Sequence, residues 1–172
     1  MNTPTHIACG ACVAVAVARF GRAEHASAPR RIVLAACAVV LGLATHLLLD
    51  LLPHRAWIVD LGWFRPMPYH WLVREALFGV AVAIPAILIA GRLWPNAVLG
   101  MFAGMYPDIE KVLFLDFHIP EWLVIFKWHS TELSNRTAGL PCAALVTIEV
   151  VLIVVFLAAM WAVRRNGRRE GA

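Results

Sequence analysis

The sequence predicts an all-α, polytopic integral membrane protein with about five transmembrane helices. Hydrophobic residues make up 61% of the 172, and only 15% are charged, whereas soluble domains carry roughly a quarter charged residues. Mean hydropathy is +0.73, and the apolar residues fall in runs that approach the roughly 20 needed to cross a bilayer. The length of the chain indicates a single integral membrane domain covering residues 1–172.

The first three spans follow from apolar runs and their boundaries. The first, residues 5–20, is short and rich in small residues. No basic residue precedes it, and Arg19 and Arg22 lie at and just after its end, which argues against a cleaved signal peptide. The second, residues 32–52, stops at Pro53, because proline cannot continue a helix. Residues 71–90 form the third span.

The remaining elements are less uniform. Residues 94–106 form a short fourth span that carries Gly100-x-x-x-Gly104, a motif that allows helix backbones to approach closely. Residues 119–130 mix aromatic and charged side chains, which is typical of an amphipathic helix lying in the membrane interface. Residues 141–163 form the longest apolar span.

The distribution of basic residues predicts the orientation of the helices. Five alternating spans put nine arginines on one side of the membrane and six basic residues, mixed with acidic ones, on the other. The positive-inside rule then places the nine-arginine side and the C-terminus in the cytoplasm, and the N-terminus outside the inner (plasma) membrane. The net charge of +4 therefore reflects topology, and without a nucleic-acid-binding motif the lipid bilayer is the expected partner. The nine arginines are Arg19, Arg22, Arg30, Arg31, Arg92, Arg164, Arg165, Arg168 and Arg169.

This topology gathers polar side chains at the outer membrane face. His46, Asp50 and His54 follow one another at steps of four, which places them along one face of a helix and just past its end. Intramembrane ionisable groups are costly and usually face a bundle interior. The candidate site residues delivered to the outer face are His6, His46, Asp50, His54, Asp108, Glu110 and His129.

Imidazole and carboxylate groups are the usual ligands of zinc, manganese and non-haem iron. We therefore interpret the histidines and aspartates of this set as candidate ligands of a divalent metal ion, with zinc or manganese favoured. Glu110 is a candidate general base. To act as one, it must lie within hydrogen-bond reach of the attacking water. The alternative interpretation is interfacial placement combined with interhelical hydrogen bonds. Glu149, inside the last span, is expected to be either protonated or paired, with Arg74 or His46 as its candidate partner.

Four short motifs resemble those of small bacterial inner-membrane proteins classed as membrane-bound metal-dependent hydrolases. Together the four motifs extend over nearly the whole chain. They are similar to that family's helix-opening histidine, to its SHxxxDxxPH and LPDID segments, and to the end of its HRGxTHS segment. The chain carries Lys111 and Val124 where the family has histidines, so the resemblance implies either a reduced or an inactive site. The matching stretches are Thr5-His6, Thr45-His46 to Asp50-Leu51-Leu52-Pro53-His54, Tyr106-Pro107-Asp108-Ile109-Glu110 and His129-Ser130.

The resemblance implies a membrane-embedded hydrolase that acts on a phosphoester or lipid-like substrate at the outer face. Two other function classes remain open from the sequence. In the first, the His/Asp cluster only stabilises helix packing or assembly with partner subunits. In the second, His46, Asp50 and Glu149 form the relay of a small transporter, although the inner half of the spans is apolar. The oligomeric state cannot be predicted from the sequence.

Overall fold

The computed structural model describes residues 3–52, 70–126 and 141–169. These residues form helices and turns, and no strand occurs among them. The prediction of an all-α polytopic protein is confirmed. The long helices are α1 (Thr3–Phe20), α2 (Ala28–Asp50), α3 (His70–Ala90), α4 (Trp94–Leu115) and α5 (Cys142–Arg169).

Four segments of the described chain are long and apolar enough to cross a membrane. The third of them, Leu72–Leu115, contains 44 residues, which is about twice the length of a single span. A 3-10 turn at Gly91–Leu93 divides it into α3 and α4. The described segments are therefore consistent with the predicted number of about five helices.

The turn between α3 and α4 reverses the direction of the chain. Gly91 has φ +59°, a left-handed conformation that glycine adopts without steric cost. On one side of the turn, Gly79 of α3 lies beside Ile7, and on the other, Gly104 of α4 lies beside His6. Since both glycines meet the same end of α1, α3 and α4 form an antiparallel pair.

The first helix occupies the centre of the bundle. It contacts each of the other four long helices, and 61% of its apolar window is buried, against 17–22% for the other three segments. Its small side chains explain this position, because alanine, glycine and cysteine allow several helices to pack around one axis at short distance. The buried apolar core comprises Ile7, Ala11, Val15, Ala18, Ala86, Ala90, Leu93, Ala97, Met101 and Met160.

The fourth helix is longer than the sequence predicted. It continues through the buried Pro107 to Leu115 rather than ending near residue 106. The extension places Asp108 and Glu110 on the helix itself, whereas the sequence analysis placed both residues after its end.

The interfacial helix predicted for residues 119–130 does not form in its described part, residues 119–126. A 3-10 turn covers Glu121–Leu123, and Val124 is extended. The physical reason lies in the next two residues, because the backbone N–H groups of Ile125 and Phe126 donate to the carboxylate of Glu110. Residues 127–130 lie outside the described part of the chain.

Candidate metal site

Close backbone contact between α1 and α4 positions the candidate site. A Cβ atom added to Gly100 would collide with the carbonyl of Gly10, and one added to Gly104 would lie 2.6 Å from the carbonyl oxygen of His6. These contacts are possible only without side chains at the crossing point. The Gly100-x-x-x-Gly104 motif therefore permits the close helix approach that the sequence predicted, and the partner is α1.

The second helix packs onto the same surface of α4. A Cβ atom on Gly42 would lie 3.0 Å from the Cβ of Ala103 and 3.6 Å from the carbonyl oxygen of Gly100. The glycines of α1, α2 and α4 thus meet at one level of the bundle. On each of these helices one polar residue lies four positions from the glycine, about 6 Å along the helix axis toward the same end of the bundle. These residues are His6 on α1, His46 on α2 and Asp108 on α4.

These three residues converge. One ligand atom from each of His6, His46 and Asp108 lies within 4.8 Å of the others. The Nε2 atom of His6 is 3.9 Å from Asp108 Oδ2, and that of His46 is 4.0 Å from Asp108 Oδ1. Ligands about 2.0–2.1 Å from a tetrahedral zinc ion lie roughly 3.3 Å apart, so a small inward shift would bring these atoms onto one ion.

Asp50 adds a second carboxylate to the same two rings. Its Oδ1 lies 3.1 Å from His6 Nε2, and its Oδ2 lies 3.3 Å from His46 Nε2. Asp50 is 3% exposed and both histidines are at most 1% exposed. Two carboxylates beside two neutral imidazoles carry a charge of −2, which a divalent cation would neutralise in this buried setting.

The tautomer of His46 favours ligation through Nε2. Its Nδ1 atom lies 2.6 Å from the backbone carbonyl oxygen of Gly104. Because a carbonyl only accepts, Nδ1 must carry the proton of a neutral ring. Nε2 then faces the carboxylates of Asp50 and Asp108, at 3.3 and 4.0 Å, where a metal ion could join the three side chains. A backbone carbonyl that fixes the tautomer of a ligating histidine is a recurrent feature of metal sites.

The burial of His6 also favours a cation at this position. Its side chain is fully buried, yet neither ring nitrogen makes a hydrogen bond within the described residues. Its Nε2 lies 3.1 Å from Asp50 Oδ1, an electrostatic contact between the imidazole and the carboxylate. Buried polar atoms almost always have partners, and a cation shared with His46 would provide one. The residues present thus fit a metal ion.

Among the described residues, the cluster is most exposed on the side of Asp108. The Asp108 side chain is 26% exposed, whereas that of Asp50 is 4% exposed and those of both histidines are fully buried. A catalytic metal site needs one open position, and Asp108 marks the side from which a molecule would reach it. Glu75 borders this region through its contact with Thr3 and its proximity to Asp108.

Glu110 lies on α4, as Asp108 does, but its carboxylate accepts hydrogen bonds from the backbone. It is 2% exposed, its Oε2 accepts a 2.9 Å hydrogen bond from the Ile125 N–H, and its Oε1 accepts one from the Phe126 N–H. A carboxylate that holds two backbone donors is suited to fixing a chain segment. The general-base role of Glu110 stays a prediction, and this geometry favours a positioning role.

The remaining sequence-based candidates are not part of the described cluster. His54 and His129 lie outside the described residues, so their roles as ligands stay predictions. Arg74 and Glu149 are both buried, at 7% exposure, and both take part in polar interactions.

Two features of the site were not expected from the sequence. The carbonyl of Gly104 is a hydrogen-bonding group of the site, and Gly10 and Gly42 set the spacing of the helices that carry the histidines. Every residue has a backbone carbonyl, so no residue type in the sequence predicts which carbonyl takes part in a site. The only sequence feature that pointed to these glycines was their position about one helical turn from a polar residue.

No protein family, curated protein or solved structure matches the chain.

Proposed function

We propose that this protein is a membrane-embedded, metal-dependent hydrolase. The observation that carries the proposal is the convergence of His6, His46 and Asp108 from three helices onto one buried point. Two histidines and a carboxylate form a common ligand set of zinc hydrolases and of other divalent-metal enzymes. The resemblance to membrane-bound metal-dependent hydrolases, based on the motifs around these residues, supports the same function.

We assign a separate role to each residue of the cluster. His6 and His46 would hold the ion through Nε2, with the tautomer of His46 fixed by the Gly104 carbonyl. The carboxylates of Asp50 and Asp108 supply the compensating negative charge. A divalent ion held there would provide Lewis-acid activation of water and of a phosphoryl or carbonyl oxygen.

The position of the site in the bundle favours a phosphoester or lipid-like substrate. The cluster lies near the first residues of α1 and the last residues of α2, where we expect lipid headgroups, and its accessible side is that of Asp108. In the orientation given by the positive-inside rule, this end faces the outside of the inner membrane and the arginine-rich end faces the cytoplasm.

A transporter receives less support. The described residues between the site and the arginine-rich end are mostly small and apolar, including Ala11, Val15, Ala97 and Met101. A proton or ion relay would need polar groups along this path.

Metal content tests the proposal directly. We expect detergent-purified wild-type protein to bind zinc or manganese stoichiometrically after metal loading, measured by inductively coupled plasma mass spectrometry. Asp108→Asn removes a ligand charge at nearly constant shape and should lose the ion. Asp116→Asn, at an exposed position just beyond α4, is the matched control and should retain it.

Hydrolysis is tested separately on the metal-loaded protein. We expect turnover of bis(p-nitrophenyl) phosphate that chelation abolishes and metal restores, in wild type and Asp116→Asn but not in Asp108→Asn. If wild type bound no metal, the hydrolase proposal would fail. If it bound metal but hydrolysed neither this diester nor a phospholipid, a non-catalytic role in helix packing would become the better explanation.

A further inference from the structure

A second concave region lies at the opposite end of the bundle from the candidate metal site. It has a volume of about 1030 Å³ and is formed by the end of α1, the turn between α3 and α4, and the end of α5. Ala18, Ala90 and Leu93 form its apolar floor. Ligand-binding clefts commonly have volumes of about 300–1000 Å³, so the cavity is large enough for a headgroup-sized molecule.

The described walls of this cavity are strongly basic. Four arginines line it, with one carboxylate, Glu24, among them. The carboxylate lies 3.8 Å from Arg19 and offsets one positive charge. The positive-inside rule accounts for arginines at this membrane surface, but it does not require four of them to converge on one concavity. The four are Arg19, Arg22, Arg92 and Arg164.

Arg164 is held in place by the end of α3. Its Nη1 donates to the carbonyl oxygens of Leu88 and Ile89, at 3.0 and 2.7 Å, where the helix leaves its last carbonyls without intrahelical partners. Gly91 makes this position accessible, since a Cβ there would lie 3.0 Å from the Arg164 guanidinium. One cation of the cavity is therefore fixed before any ligand binds.

Exposed apolar side chains surround this end of the bundle. Phe20, Leu88 and Trp94 are 77%, 70% and 53% exposed, and Phe20 also lines the cavity. In a bilayer these side chains would contact acyl chains while the arginines reach the headgroup level. Basic pockets between helices on this side of a membrane are suited to anionic headgroups.

We propose that this cavity binds a phosphate group, as carried by the headgroup of an anionic phospholipid or as free phosphate. Planar guanidinium groups bind phosphate oxygens in a bidentate manner. The proposal is independent of the metal site and of hydrolysis, because none of its residues belongs to the cluster around His6 and His46.

The test compares two variants of equal charge change at the same end of the protein. Arg22→Gln/Arg92→Gln removes two cations from the cavity and leaves Arg164 in place. Arg30→Gln/Arg165→Gln removes two cations that do not line it. Lipid binding to the full chain in detergent is measured by native mass spectrometry with phosphatidylglycerol and, for comparison, phosphatidylcholine. Circular dichroism and size-exclusion chromatography report whether each variant is folded.

We expect wild type to prefer phosphatidylglycerol over phosphatidylcholine. The cavity variant should bind phosphatidylglycerol about 30-fold more weakly, since each arginine near a membrane surface contributes about 1 kcal/mol. The control variant should change by less than about 3-fold. Because the preference of wild type needs no substitution, it tests the proposal even if a variant fails to fold.

Inorganic phosphate distinguishes the two sources of the ligand. Phosphatidylglycerol binding that millimolar phosphate does not displace assigns the cavity to the lipid headgroup. Thermal stabilisation of wild type but not of the cavity variant by inorganic phosphate, without lipid preference, assigns it to free phosphate. The proposal is overturned if wild type shows neither response, or if both double variants lose binding equally.

Discussion

The imidazole rings of His6 and His46 stack with their centroids 3.8 Å apart and their planes inclined by 27°, although the residues belong to different helices. Two protonated rings at this distance would repel each other by about 4 kcal/mol at an effective dielectric constant of 20. The two rings and the carboxylates of Asp50 and Asp108 therefore form one electrostatically coupled group. A cation shared between the two Nε2 atoms satisfies both rings and the two carboxylates that face them.

The first prediction follows from this sharing. We expect His6→Gln and His46→Gln each to weaken metal binding by at least about 100-fold, since even substitutions of groups that only orient ligands cost 10- to 100-fold. The double variant should lose little more than either single one, because both rings serve one ion. Metal affinity, measured by competition with a chromophoric chelator, checks this expectation. His25→Gln, at an exposed position on the arginine-rich end, is the control, and additive losses would argue against a shared ion.

The second prediction concerns Asp50, which contacts both rings. Asp50→Asn preserves shape and hydrogen-bonding capacity but removes a negative charge 3.1–3.3 Å from the two Nε2 atoms. Bound metal should fall steeply, whereas thermal stability should change little, because an interhelical hydrogen bond in membranes averages only about 0.6 kcal/mol. Metal per protein and melting temperature are measured on the same preparation. An Asp50→Asn variant with full metal content would indicate that Asp50 only accepts hydrogen bonds.

The third prediction tests the glycine contact that brings the helices together. Gly100→Ala should separate α1 from α4, because the added Cβ meets the rigid carbonyl of Gly10. We expect destabilisation of about 1–3 kcal/mol, as is usual for overpacking, together with weaker metal binding as His6 moves away from Asp108. Chemical unfolding in detergent and metal analysis measure the two effects.

A matched substitution separates this effect from the general consequence of adding a methyl group to a helix. At Gly79 the atoms of the described residues nearest to the new Cβ would be Ile7 Cδ1, the flexible end of that side chain, at 3.0 Å, and Thr3 Cγ2, at 4.0 Å. Gly79→Ala should therefore keep both stability and metal. Equal losses in the two variants would contradict a specific role of the Gly10–Gly100 contact.

The fourth prediction concerns Glu110 and the segment it holds. Glu110→Gln leaves one oxygen to accept the two backbone donors of Ile125 and Phe126, and hydrogen bonds to charged groups contribute about 1.5–3 kcal/mol. Amide hydrogen exchange in residues 119–126 should therefore accelerate about ten- to a hundred-fold, while bound metal stays unchanged. Asp116→Asn should leave the exchange rate as in wild type. If hydrolysis were lost and exchange unaltered, Glu110 would be the general base predicted from the sequence.

The fifth prediction addresses orientation. Alkaline phosphatase fused after Ala172 should be inactive, because the positive-inside rule keeps the arginine-rich end in the cytoplasm, and a fluorescent protein at the same position should be bright. A fusion within residues 119–126 should give the opposite result. An active phosphatase at the C-terminus would invert the topology and place the candidate metal site on the cytoplasmic side.

The sequence by itself determined the class of fold, and it predicted that His6, His46, Asp50 and Asp108 lie at the same end of the bundle. Long apolar runs can satisfy their backbone groups in lipid only as helices, so composition and run length were sufficient for the all-α prediction. The four-residue spacing of His46 and Asp50 placed both on one helix face, and the structure shows both of them buried on α2. Alternation of the spans brought His6 and Asp108 to the same end.

Only the tertiary structure decided which of these polar residues meet and what each one contacts. The length of α4 through Pro107, the tautomer of His46, the stacking of the two rings and the engagement of Glu110 by the backbone of residues 125 and 126 all depend on contacts between segments distant in sequence. Side-chain patterns do not encode the position of a backbone carbonyl or the rotation of one helix against another. Those are set where Gly10, Gly42, Gly100 and Gly104 allow three helices to touch, because the distance between helix axes is fixed by the smallest side chains at their crossing.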